Sequence, residues 1–215
     1  MHFLVAQSTY DSVQVGFFKD SSFLIDQKVI QKFQATRVLA SALAELLHSQ
    51  GVVFSELGFM GINQGQALFN TLRTVLATVN GLAYAAQVPV VCVNGLKALH
   101  AQSQAVQTVV LLNAFNNQVY YAYKKRAQLV TGVANIHEIL PAILLDMPHG
   151  ALTFIGNGTA LFQESIVATF GVRVHISDPV ITDISLEELA RICLNKFNQQ
   201  ETYAQAQPLY LKRAV

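Results

Sequence analysis

The sequence predicts an α/β protein built as two lobes, each a mixed sheet with flanking helices, and three observations carry that prediction. Segments with alternating or continuous apolar residues give way repeatedly to segments whose apolar residues recur at three and four, the change of period that separates strands from helices. Both halves of the chain run through strands first and then through alternating helix and strand. The chain has 215 residues, 52% of them hydrophobic, which is enough to fill two small cores. The lobes are expected at residues 1–104 and 105–215.

Residues 2–8 read as a buried strand, and Tyr10, Asp11 and Ser12 turn the chain into a second, alternating strand at 13–19. Asp20, Ser21 and Ser22 make the next turn, and 23–31 completes a three-stranded antiparallel meander. From 34 to 50 the spacing is helical, with Val38, Leu39, Ala42, Leu43, Leu46 and Leu47 on one side and Gly51 placed to cap the end. A short strand at 59–62 leads through Gly65 into a helix that reaches about Ala86, whose Leu68, Leu72, Val75, Leu76 and Val79 share a face. Residues 88–93 form another buried strand, with a helix expected after Asn94. Strand, strand, strand, helix, strand, helix, strand is the order of one lobe of the ribonuclease H-like, actin-like ATPase architecture.

A second set begins after Gln104. Residues 106–113 and 118–127 pair as a hairpin around Asn116 and Asn117, and 136–140 is a short helix stopped at Pro141. A strand at 153–155, the turn Gly156-Asn157-Gly158, a helix at 159–170, a strand at 172–176 and a helix at 185–198 complete the chain. Ser185 stands at the N-cap of the last helix, three residues before Glu188.

Composition narrows the function. Charged residues are only 13% of the chain, so apolar surface has to be hidden in a large core or under an obligate partner, and the balance favours a partner. A net charge of +1 without a basic run leaves no electrostatic footprint for nucleic acid, so a role with RNA calls for a partner. Cys92 and Cys193 stand alone, and no stretch reads as a signal peptide or membrane span. A cytoplasmic protein is expected.

The chemistry-bearing positions are sparse. An actin-like ATPase needs a carboxylate at the end of its first strand to hold magnesium or orient water, and here that place is Gln7, flanked by Ser8 and Thr9. Asp11 reads as a solvated turn residue. The Gly65 turn enters a helix, an anion-binding geometry, but Gln66, Ala67 and Leu68 put side chains where phosphate would want bare N–H groups. Gly156 and Gly158 could let a nucleotide approach the backbone, although a plain strand-to-helix turn explains them better. Arg73, on an otherwise apolar helix, is either half of a forked pair across an interface or a snorkelled surface residue. The six histidines lack metal-site spacing, and no nucleophile elbow is present. No catalytic residue, metal or cofactor is expected.

With these residues in order, the chain resembles the bacterial TsaB family, also called YeaZ. That family's opening Ile-Leu-Ala-Ile-Asp-Thr strand is similar to Phe3-Leu4-Val5-Ala6-Gln7-Ser8, its aspartate replaced by Gln7. Its Gly-Pro-Gly-Ser-Phe-Thr-Gly-Leu-Arg motif aligns with residues 65–73, of which Gly65, Phe69, Leu72 and Arg73 survive. Gly81-Leu82-Ala83, Val88-Pro89, Asn113-Ala114-Phe115, Val119-Tyr120 and the closing Pro208-Leu209-Tyr210-Leu211-Lys212-Arg213 resemble family residues in the same order. The resemblance implies a catalytically silent subunit of the machinery that makes threonylcarbamoyladenosine in transfer RNA. It implies a homodimer, or pairing with the larger paralogue TsaD, working with the ATPase TsaE. Pairing is expected through two helices of the first lobe, by Val38, Leu39, Ala42 and Leu46 on one and Phe69, Leu72, Arg73, Leu76 and Val79 on the other. An actin-like phosphotransferase, a glycoprotease-like peptidase and an interaction protein with changed partners are the alternatives.

Overall fold

The computed structural model describes residues 1–20 and 23–211; Ser21 and Ser22 of the expected turn, and Lys212 and Arg213 of the closing motif, lie outside the described residues. Strands β1 (His2–Ser8), β2 (Ser12–Lys19), β3 (Phe23–Gln31), β4 (Leu57–Asn63) and β5 (Val90–Val93) form the first sheet, in the order β3-β2-β1-β4-β5. The first three are antiparallel, as tight turns allow, while β4 and β5 run parallel to β1. Parallel neighbours need crossovers, and α1 (Ala35–His48) and α2 (Phe69–Ala86) supply them. Both lay their apolar stripes on one face of the sheet, where Leu39, Leu43 and Leu46 of α1 and Leu72, Val75 and Val79 of α2 bury against Leu4, Ala6 and Phe17.

The other face is covered from the far end of the chain. Helix α7 (Leu186–Asn198) starts at Ser185, whose Oγ accepts the Glu188 N–H at 3.1 Å, as the capping signal predicts. Phe59 of β4 stacks between Phe3, at 4.6 Å, and Phe197 of α7, at 4.9 Å. Gly61 lets the helix approach, since a Cβ there would stand 2.6 Å from Cys193 Sγ. The first unit is therefore Met1–Gly95 with Ser185–Leu209, and Leu96–Ile184 makes up the body of the second. The expected division at residue 104 misses this return. A sheet apolar on both faces needs two layers of helix, and the second layer had to come from distant sequence.

The second unit repeats the plan. Strands β6 (Thr108–Asn113), β7 (Gln118–Lys125), β8 (Gln128–Asn135), β9 (Leu152–Ile155) and β10 (Val174–Ile176) take the order β8-β7-β6-β9-β10, again three antiparallel and two parallel. Helix α3 (Gly95–Gln102) falls where a helix was expected. Strand β8 was not foreseen, because the turn into it is Arg126-Ala127, neither a usual turn residue. Both nevertheless take positive φ, 48° and 67°, between the paired Lys125 and Gln128, as a two-residue hairpin turn requires.

Helix α4 (Ile136–Asp146) runs through Pro141, where the sequence predicts its end. Asn135 caps it, accepting the His137 N–H at 3.0 Å, and buried Ile139, Leu140 and Ile143 lie on both sides of the proline. Burying Ile143 offsets the lost hydrogen bond. The helix expected at 159–170 is two, α5 (Asn157–Leu161) and α6 (Gln163–Phe170), and a 3-10 turn, Gly171–Arg173, takes the first residues assigned to the last strand.

Candidate functional site

The C-terminal ends of β1 and β4 lie side by side, so parallel pairing brings Gln7 and Asn63 together across 56 positions of sequence. Gln7 is 1% exposed and Asn63 is 7% exposed, and a buried amide has to find partners. They find them in one another. Gln7 Nε2 donates to Gln14 Oε1 of β2 at 2.8 Å, Asn63 Nδ2 donates to Gln7 Oε1 at 3.3 Å, and the Gly65 N–H donates to Asn63 Oδ1 at 3.0 Å. Four residues thus form a chain of neutral amides at the strand end. Thr9 closes the turn beside it, its Oγ1 accepting the Ser12 N–H at 3.0 Å. Asp11 points away into solvent, with its side chain 95% exposed and 3.6 Å from Lys32 Nζ, as expected of a turn residue.

From Asn63 the backbone turns at Gly65, whose φ of 116° is glycine territory. The Gly65 carbonyl accepts the Gly95 N–H at 3.1 Å. A Cβ at Gly95 would lie 2.2 Å from Asn63 Oδ1, so that glycine preserves the amide contact. Helix α2 then opens at Phe69, whose ring lies 3.7 Å beneath the Arg73 guanidinium. Cation and aromatic face form an exposed pair one helical turn apart.

A family model for TsaD, described as tRNA N6-adenosine threonylcarbamoyltransferase, matches residues 32–214. The chain belongs to the TsaD family. No curated protein matches it in sequence. Among solved structures it is similar to a Pseudomonas aeruginosa protein described as similar to the peptidase YeaZ, with a TM-score of 0.76 at 20% identity, covering 98% of this chain and 99% of that one. YeaZ from Pseudomonas aeruginosa gives a TM-score of 0.68 at 21% identity with the same coverage. Component A of the Acidaminococcus fermentans (R)-2-hydroxyglutaryl-CoA dehydratase gives 0.51 at 6% identity, covering 94% and 99%. In fold this TsaD-family chain is YeaZ-like and TsaB-like, two-lobed and actin-like.

The other positions singled out in this TsaD-family sequence take different places. Gly156 and Gly158 serve packing: a Cβ would meet the Leu111 carbonyl oxygen at 2.2 Å and 2.9 Å respectively. The Gly156 N–H is spent on the Ile181 carbonyl at 2.7 Å, and Asn157 Oδ1 accepts the Asn113 N–H at 2.9 Å. These contacts give the two glycines a structural reason at the turn.

The expected partner face needs a larger correction. Leu39, Ala42, Leu46, Leu72, Leu76 and Val79 are all buried in the core of the first unit, with Val38 packed against it. Their spacing at three and four marks the inner stripe of each helix, which the sheet already covers. Of the nine residues, Phe69 and Arg73 remain exposed. The outward face of α2 carries Phe69, Arg73, Ala77 and Gly81 at intervals of four, with Tyr84 78% exposed at its end, and α1 presents Ala40 and Ala44. Hydrophobic spacing could not find this stripe, since its residues are small, mixed and outside the periodic set.

Among the described residues no group of three or more His, Cys, Asp or Glu could hold a metal ion, and no helix is long and apolar enough to cross a membrane. Cys92 and Cys193 are buried free thiols. Burial pushes Cys92 up to about 11 and Cys193 higher, leaving both as protonated, inert groups. His100 was not singled out in the sequence. It is buried with Nε2 lacking a hydrogen-bond partner, and desolvation, then Lys124, holds its pKa below the ordinary histidine value against the hydrogen bond with the Thr108 backbone.

Proposed function

We propose that this chain is a catalytically silent, TsaB-type scaffold subunit that pairs with a TsaD paralogue in making tRNA N6-threonylcarbamoyladenosine. The observation that carries the reading is the strand end. Where an actin-like ATPase places a carboxylate, this chain places Gln7 in a self-satisfied chain of amides with Gln14, Asn63 and the Gly65 N–H. A neutral amide is a poor magnesium ligand, and one that already has protein partners at both ends has little to gain from a phosphate. The fold matches over 98% of the chain while this position is neutral, which supports a protein that works through its surfaces.

Pairing with TsaD, or with a second copy in isolation, would use the outward faces of α1 and α2. Ala40, Ala44, Ala77 and Gly81 allow close helix approach, and Phe69, Arg73 and Tyr84 are the anchors of the types that carry interface energy. The ATPase TsaE would join through the complex, and transfer RNA would be held by the assembly, since this chain carries a net charge of only +1. The working compartment would be the cytoplasm.

Co-expression with TsaD, followed by size-exclusion chromatography with light scattering, tests the reading. A one-to-one or two-to-two complex that Tyr84→Glu and Ala77→Arg disrupt is expected. A persistent homodimer that ignores TsaD would replace this reading with that of an interaction protein whose partners have changed. Magnesium-dependent hydrolysis of ATP by the isolated chain would replace it with an enzyme.

A further inference from the structure

After α7 the chain stays with the first unit. Residues 203–209 form a strap that meets the edge strand β5 at Tyr203, bends at Ala204 and Gln205, and continues past α2 and the turn after β4. Val90 and Tyr203 exchange both main-chain hydrogen bonds, at 2.9 and 2.8 Å. Asn80 of α2 then grips Ala206 with both ends of its amide, Nδ2 donating to the Ala206 carbonyl at 2.9 Å and Oδ1 accepting the Ala206 N–H at 2.7 Å. Gln64 Nε2 donates to the Gln207 carbonyl at 2.7 Å, and the Leu209 N–H donates to the Gln64 carbonyl at 3.1 Å. Gln66 Nε2 donates to the Leu209 carbonyl at 3.0 Å.

Each of these bonds ends on the main chain of the strap. Tyr203, Gln205 and Gln207 line an open polar cavity of about 440 Å³, whereas Ala206, 4% exposed, enters the core. The groove therefore reads backbone and admits a small side chain at one place. It also offers more than the strap uses, because Gln66 Oε1 is buried there with no hydrogen-bond partner.

We propose that this groove is a peptide-binding site that grips main chain and takes a small residue at the Ala206 position, filled here in cis, and that in trans it takes the same segment of a second copy of this chain. The second copy is the occupant the structure favours, because an identical segment already fits the groove bond for bond. Exchange would conserve every one of those bonds and change the path of the chain at the joint after α7, where Gln200 has φ 61° and Gln199, Glu201 and Thr202 are exposed, and after Leu209, where the chain leaves the first unit. The equilibrium then rests on these two places and on the high effective concentration of the tethered strap.

The test uses the full chain and a fluorescein-labelled synthetic peptide of residues 200–209, with binding read by anisotropy. The wild-type chain, its groove filled, binds the peptide weakly. The Ala206→Arg chain, whose own strap cannot seat, binds it at least tenfold more tightly, and a second substitution, Asn80→Leu, removes that gain. A peptide carrying Ala206→Arg binds neither chain. A folded Ala206→Arg chain that binds no better than wild type, or an arginine peptide that binds as well as the native one, overturns the proposal. Should Ala206→Arg fail to fold, hydrogen exchange on the wild-type chain decides. The Tyr203, Ala206 and Leu209 amides are expected to open together below global unfolding and to lose protection in excess peptide. Exchange of these amides only by global unfolding, unchanged by peptide, overturns it equally.

Discussion

Replacing Gln7 by glutamate tests the chain of amides with almost no change of shape. Gln7 is 1% exposed, and its Nε2 donates to Gln14 Oε1 at 2.8 Å. In a carboxylate the atom at that place is an acceptor facing an acceptor, whereas in the protonated acid it is a hydroxyl that restores the bond. The bond from Asn63 Nδ2, at 3.3 Å, favours the charged form. Desolvation and the bond to Gln14 both favour the neutral form, so the folded pKa of the new acid rises by roughly 2–3 units above the ordinary glutamate value of about 4.3. At about 1.36 kcal/mol per unit the variant is less stable than wild type by roughly 3–4 kcal/mol once the acid is ionised.

The sign follows from proton uptake. Between the two pKa values the folded form binds more protons than the unfolded form, so stability falls as pH rises. The deficit is small near pH 4, grows as the pH climbs through about 5 and 6, and levels off above the folded pKa near about 7. Urea unfolding of both proteins at a series of pH values measures it, and with a slope of about 2 kcal/mol per molar the midpoint deficit at pH 8 is about 1.5–2 M. A midpoint equal to wild type at pH 8, or a deficit that does not change with pH, would refute the reasoning. The strand end would then be able to receive charge, and the case for a silent subunit would lose its main support.

Leu76→Asp, which the helical spacing alone would recommend as an interface probe, is expected to unfold the first unit, because Leu76 is 4% exposed in its core; an unpaired buried charge costs several kcal/mol, and loss of the thermal transition seen by circular dichroism checks it. Ala77→Arg, one residue on and exposed, should leave the unfolding midpoint within about 0.5 kcal/mol of wild type and remove pairing in light scattering. Gly156→Ala combines a φ of 98° with a Cβ 2.2 Å from the Leu111 carbonyl oxygen, and a loss of about 2 kcal/mol or more in chemical unfolding is expected. His100 has its folded pKa lowered, so the unfolded chain takes up its proton first and stability falls as the pH drops below about 6.5. His100→Phe should flatten that acid limb in a series of unfolding midpoints, and an unchanged limb would assign it to other groups.

The order and type of the elements were legible because strand and helix periods are local properties, and the family resemblance could be read from the sequence residue by residue. The substitution at Gln7 was legible as well, since it needed only the position of a strand end. Sequence alone therefore determined the two-lobed plan, the capped last helix and the neutral residue at the end of the first strand. It could not tell which stripe of α1 and α2 meets a partner. Periodicity reports that Leu39, Leu72 and Leu76 must be covered, and the chain's own sheet covers them. Strand β8 and the continuation of α4 past Pro141 were hidden for a related reason, because sheet pairing and core burial override weak local signals. Tertiary structure alone joined Gln7 to Asn63 and Gln14, returned α7 to the first sheet and laid residues 203–209 in a groove made by Asn80, Gln64 and Gln66. Each of these is a contact between residues distant in sequence, fixed by which buried polar group finds a partner and which apolar face remains to be covered.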